Sequence, residues 1–177
     1  MLINKPIMQV AYVVRDIEEA CHHWINVFGA GPFFLAPHLK VAKQLYRGEP
    51  SREDSSHALG FCGNINIQLI QQHNDAPSMY RDVYPDGGQG FHHMMFFTDE
   101  FEFDRSRMVK NGCPVVEEIF EEGKHGSGRI AYVDARDKVG GFIEIYEDNP
   151  IIRELFAAWK AEHDRWDRKT APIRLIG

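Results

Sequence analysis

Hydrophobic patterning that runs through one cycle and then restarts constrains this chain more than any other feature. Residues 7–14 are apolar on both faces of a strand except at Gln9, as in a sheet covered on both sides. Asp16 then suits an N-cap. Ile17, Ala20, Cys21, Trp24, Ile25 and Phe28 form one helical stripe, and Gly29 sits where a left-handed C-cap belongs. This predicts a helix over 16–28. Strand-like segments follow at 33–36, 41–46, 57–62 and 65–71, separated by Gly, Pro, Ser and Asp. A polar, turn-rich linker covers 72–90, with room for one helical turn. The pattern then restarts with a strand at 91–97, a charged helix at 100–111 and strands at 115–120, 129–133 and 142–146. The period is about 84 residues, longer than solenoid repeats. Each βαβββ unit leaves a sheet face that it cannot bury alone, and pairing the two buries both faces around a cleft. The expectation is an α+β fold in which modules 5–71 and 91–147 form a cup through their mixed sheets. Residues 148–177 add a C-terminal helix and tail.

Composition bounds what such a cup can serve. The 177 residues suffice for one domain or two small halves, and a 44% hydrophobic content supports a buried core. A net charge of −6 argues against nucleic acid or an anionic membrane as the main partner. Cys21, Cys62 and Cys113 are widely spaced and odd in number, which favours reduced thiols and a cytoplasmic setting. The first residues reach a charge too early for a secretory signal, and no apolar run has the length of a spanning helix. Asn149 and Pro150 can open the C-terminal helix. Its stripe of Ile151, Ile152, Leu155, Phe156 and Trp159 suits either the sheet or a second subunit.

Polar residues that interrupt buried strands point to a site. Strand parity puts Gln9 with Ile7, Ala11 and Val13, Gln68 with Asn66 and Ile70, and Glu144 with Phe142 and Tyr146. The same parity puts His93 with Phe91, Met95 and Phe97 and turns His92 to the opposite face. Each unit thus supplies one such residue near its first strand and one in its last. A buried carboxylate needs a cation or donors, and a neutral imidazole with two amide oxygens can complete a divalent-ion site. Phe91, Met95, Phe97, Phe142 and Tyr146 are expected to line the cup. His22 and His23 project about 100° apart on their helix and read as solvent-flank residues. The glycine-rich run 123–128 lacks a P-loop ending and reads as a hairpin or a lip over the cleft. Lys124, His125 and Arg129 nearby are candidate contacts for an anionic tail.

The twofold βαβββ order, the opening segment from Gln9 to Asp16, the Gly90-Phe91-His92-His93 segment and Gly140-Gly141-Phe142-Ile143-Glu144 resemble the vicinal oxygen chelate superfamily. That superfamily includes glyoxalases, methylmalonyl-CoA epimerases, extradiol dioxygenases and bleomycin-resistance proteins. The resemblance covers residues 5–147. It implies that Gln9, Gln68, His93 and Glu144 bind a divalent metal ion, with Mn, Co, Ni, Zn, Mg and Fe all compatible, and that the chain forms a homodimer. It further implies a metal-dependent isomerase or lyase, nearest in type to methylmalonyl-CoA epimerase or lactoylglutathione lyase, with Glu144 exchanging the proton. The substrate would be a small molecule such as an acyl-CoA or a hemithioacetal. Glu49 and Glu53 are candidates for a second base, although their charged, loop-like stretch reads first as solvated surface. A metal-free binding protein is the rival reading, since only Glu144 brings formal charge. An extradiol-type dioxygenase fits less well, because Gln9 stands where a second His would be needed.

Overall fold

The structure, a computed structural model, describes residues 4–121 and 128–176. In the first half, β1 (Gln9–Val13) leads into α1 (Ile17–Phe28), followed by β2 (Phe33–Ala36), β3 (Lys43–Tyr46), β4 (Glu49–Pro50), β5 (Ser55–Cys62) and β6 (Ile65–Gln72). A short α2 (Met79–Val83) lies in the turn-rich stretch. The second half is β7 (Gly90–Thr98), α3 (Phe101–Lys110), β8 (Val115–Glu121), β9 (Gly128–Asp134), α4 (Arg136–Val139) and β10 (Phe142–Glu147). The chain closes with α5 (Pro150–Arg165) and β11 (Ile173–Leu175). The helix predicted at 16–28 forms because its ends are satisfied. Asp16 accepts from the amide of Glu19 at 2.9 Å, and Gly29 adopts φ 65° at the C-cap.

All strands join one mixed sheet in the order β11-β2-β5-β6-β1-β7-β10-β9-β8-β3-β4. The order β2-β5-β6-β1 is mirrored by β8-β9-β10-β7, and the two halves meet where β1 runs antiparallel to β7. Strand β3 departs from the expected arrangement. It leaves its own half and pairs with β8 at the far end of the sheet. Eight inter-strand steps separate β2 from β3, about 38 Å if the sheet were flat. The connecting residues 37–42 can span at most about 25 Å. The sheet must therefore curl, and the connection crosses the mouth of the resulting cup. A further strand, β11, pairs with β2 inside the expected C-terminal tail.

Three clusters hold the curl. On the outer face, Ile17, Cys21 and Ile25 of α1 pack with Ile67 and Leu69, and Phe101 and Met108 of α3 pack with Val133 and Ile145. Inside the cup, Ile152, Phe156 and Trp159 of α5 join Ala11, Phe61, Met95 and Phe97. Of the two uses open to the C-terminal helix, the structure shows it covering the sheet. Among the described residues, no helix is long and apolar enough to cross a membrane.

Candidate functional site

Register lays the polar residues in two adjacent rows on the inner face. In one row Asn66, Gln9, Met95, Glu144, Tyr132 and Glu117 are successive cross-strand partners. In the other, the order is Gln68, Ala11, His93, Phe142. Ala11 has only a methyl group, so the floor between Gln68 and His93 stays low. His93 Nε2 lies 2.9 Å from Glu144 Oε2, and both side chains are buried. Gln9, Gln68 and Glu144 face a cavity of about 420 Å³, roomy enough for a small-molecule ligand. Its walls are mainly apolar and include Leu59, Ile119, Ile130, Phe156 and Trp159, and Lys40 stands in the crossing segment at the mouth.

Strand parity failed at one point. The ladder between β1 and β7 shifts register between Ala11 and Tyr12, so Ala11 faces His93 while Tyr12 faces Phe91. His92 is the extra residue of this bulge, and the bulge turns it inward. It stacks on Phe142 at 4.9 Å and packs near Tyr80, with its Nδ1 2.9 Å from His93 Nδ1. Phe91 turns outward against Tyr12, at 6.0 Å between ring centroids. It lies over Gly141, where any Cβ would overlap its ring. The expectation that His92 faces away and that Phe91 lines the cup is therefore corrected. Met95, Phe97, Phe142 and Tyr146 do lie in the inner cluster.

Burial controls the ionisation of this floor. It pushes the Glu144 carboxyl up to about 8, with a hydrogen bond to Tyr132 acting the other way. It lowers His93 to about 3 and His57 to about 4, so both rings are neutral near pH 7. Gln68 Oε1, His93 Nε2 and Glu144 Oε2 are all buried with no hydrogen-bond partner among the described residues. These three atoms, two of them in contact, are available to a cation, which would displace the proton that burial favours on Glu144. One imidazole nitrogen, one carboxylate and two amide oxygens form a borderline-to-hard donor set that fits a divalent metal. Among the described residues, no cluster of three or more His, Cys, Asp or Glu could hold a metal, so any such site relies on the two amides. That also leaves a two-histidine, one-carboxylate triad unassembled among those residues.

Sequence reasoning missed several neighbours. His57 lines the cavity beside Gln68, and Glu117 is fully buried on β8. The Glu117-Glu118 pair in an otherwise apolar strand was the available signal, since one of two adjacent strand residues must face inward. Glu118 meets Arg105, whereas Glu117 accepts from Gln44 Nε2 at 2.8 Å. Glu53 is no solvated loop charge: Ser55 Oγ donates to it at 3.1 Å, and its other carboxylate oxygen is shielded without a partner among the described residues. Glu49 is exposed, as are His22 and His23. Arg129 is held by Glu147 at 2.7 Å and Glu102 at 2.6 Å. Lys124 and His125 lie outside the described residues.

Burial, and then repulsion from Glu53, hold the Glu117 carboxyl well above its ordinary value of 4.5. The raised group destabilises the fold progressively as pH climbs above that ordinary value, by about 1.4 kcal/mol per unit of displacement. Glu117→Gln keeps the acceptor for Gln44 and removes the ionisation. Its melting temperature should match the parent near about pH 4.5 and exceed it by a few degrees near about pH 8. A gap that stays constant over this range in thermal melts would show that Glu117 carries no such penalty.

The sequence profile of the Glyoxalase/Bleomycin resistance protein/Dioxygenase superfamily matches residues 8–132. The chain belongs to that superfamily. Solved structures share its fold at low identity. A methylmalonyl-CoA epimerase from Mycobacterium tuberculosis is 20% identical, with a TM-score of 0.54 over 87% of this chain and 97% of that one. The hypothetical protein BH1468 from Bacillus halodurans C-125 is 15% identical, with a TM-score of 0.55 over 82% and 96%. No curated protein matches in sequence.

Proposed function

We propose that the cup binds a divalent metal ion through Gln9, Gln68, His93 and Glu144. In this reading the protein is an isomerase or lyase that moves a proton next to a carbonyl. The contact between His93 Nε2 and Glu144 Oε2 carries the proposal: the two buried atoms lie 2.9 Å apart, and a divalent ion can take the place of the proton that burial otherwise keeps on Glu144. When bound, the ion would act as a Lewis acid on substrate oxygen. Glu144, at the inner end of the cavity, would take and return the proton. The walls from Leu59, Ile130 and Phe156 exclude water from that exchange, and Lys40 at the mouth can meet an anionic part of the substrate. Acyl-CoA thioesters and hemithioacetals both offer the acidic C–H that this chemistry needs.

Metal analysis after equilibration with Mn, Co, Ni or Zn should give about one ion per chain. Solvent deuterium should then enter either a 2-methyl acyl-CoA thioester or a hemithioacetal, and the substrate that exchanges assigns epimerase or lyase. The second reading, a metal-free binder, draws on the apolar cavity walls. Absence of metal uptake combined with quenching of Trp159 fluorescence by an apolar ligand would select it.

A further inference from the structure

The far ends of Gln9, Gln68 and His93 are already occupied. Gln9 Nε2 donates to Asn66 Oδ1 at 2.8 Å, so the amide oxygen is the end left for other use. Gln68 Nε2 lies 3.1 Å from His57 Nδ1. An amide nitrogen only donates, so His57 Nδ1 accepts and its proton sits on Nε2. That proton points at Ser55 Oγ, 3.0 Å away, and Ser55 in turn donates to Glu53. The chain Gln68–His57–Ser55–Glu53 therefore runs in one direction and ends on a carboxylate. A second chain sets His93. His92 Nε2 donates to the carbonyl of Met79 at 3.3 Å, which leaves His92 Nδ1 as an acceptor. His93 Nδ1 must then donate to it across 2.9 Å, and His93 Nε2 keeps its lone pair, facing Glu144.

We infer that Asn66, His57 and His92 are positioning residues, which lock the two amides and the imidazole with their ligating atoms turned toward the candidate metal. This rests on the metal reading above and adds residues that make no contact with the ion. Outer partners of this kind usually contribute about 10–100-fold in metal affinity. His57 is the sharpest case, because its effect should depend on residue 68 being an amide. A carboxylate presents an oxygen whichever way it turns, whereas an amide must be held.

The test is a Mn2+ titration of the full chain, with free ion followed by its paramagnetic resonance signal. His57→Ala should weaken binding about 10–100-fold with Gln68 present, and less than about threefold in a Gln68→Glu background. Equal losses in both backgrounds overturn the inference, since His57 would then only support the cup. Asn66→Leu should weaken binding, and Asn66→Asp, which retains the acceptor oxygen, should restore it. Equal impairment by both counts against the inference. Nuclear magnetic resonance of the metal-free parent requires no variant to fold. It should show nitrogen–nitrogen coupling across the Gln68–His57 bond and a proton on His93 Nδ1. A His93 proton on Nε2 overturns the inference by itself. A parent chain that takes up no Mn2+ defeats the metal reading and this inference together. One that binds Mn2+ but shows no dependence on residue 68 defeats this inference alone.

Discussion

Glu144→Gln should weaken Mn2+ binding by at least about 100-fold, roughly 3 kcal/mol, while leaving the metal-free fold at least as stable as the parent. Glu144 is the only formal negative charge among the four candidate ligands, so a neutral amide removes most of the attraction for a divalent ion. The same change suits the metal-free protein. Burial pushes the Glu144 carboxyl up to about 8, and glutamine mimics that neutral form without the cost of ionising it at higher pH. In the variant, the new amide nitrogen can donate to the bare His93 Nε2, 2.9 Å away in the parent from Glu144 Oε2. The amide thus keeps, at every pH, the donor that Glu144 offers only in its protonated form. Titration and thermal melting should therefore move in opposite directions. A variant that binds Mn2+ like the parent removes Glu144 from the metal site. One that loses binding together with a large drop in melting temperature shows damage to the fold instead.

Phe156→Ala should destabilise the protein by about 3–5 kcal/mol, lowering the melting temperature by roughly 10 °C. Phe156 is buried at the centre of the contact between α5 and the cup. Its ring lies 5.1 Å from Phe97, 5.6 Å from Trp159 and 6.2 Å from Phe61. Truncation leaves a cavity that the surrounding strands cannot collapse to fill, because the sheet ladder fixes them. Leu155 lines the same wall but is 40% exposed, so Leu155→Ala should cost within about 1 kcal/mol. The comparison separates packing of α5 from lining of the cavity. Denaturant melts of both variants check it. A loss below about 1 kcal/mol for Phe156→Ala would mean that α5 is not docked on the inner face.

Much of the fold was legible because its signals are local. The Asp16 cap, the stripe from Ile17 to Phe28 and the Gly29 stop are all read within one segment, and the observed helix follows them. Alternation grouped Gln9, Gln68 and Glu144 with their strand-face neighbours, and the structure places all three at one cavity. Alternation misplaced His92 and Phe91 because a bulge adds one residue without marking itself in composition. Nothing in 41–46 announces that β3 pairs with β8 instead of its own half. His57 looked like an ordinary strand residue. Only the pairing of β5 with β6 brings its ring to Gln68.

By itself, the amino-acid sequence determined two units of one pattern, the ends of the first helix and the parity of most strand residues. These follow from the geometry of a single segment, with period 3.6 or period 2, and need no partner. Tertiary structure alone decided which polar residues meet. Register between β1, β6, β7 and β10 sets the two rows, the bulge brings His92 in beside His93, and the crossing of residues 37–42 closes the mouth. A contact between His93 and Glu144 depends on how separate segments align, and alternation within either segment is the same whichever alignment is chosen. Burial of the inner face against α5 selects one alignment, because slipping a strand by a single residue would turn its polar side chains out of the cup and its outer ones in.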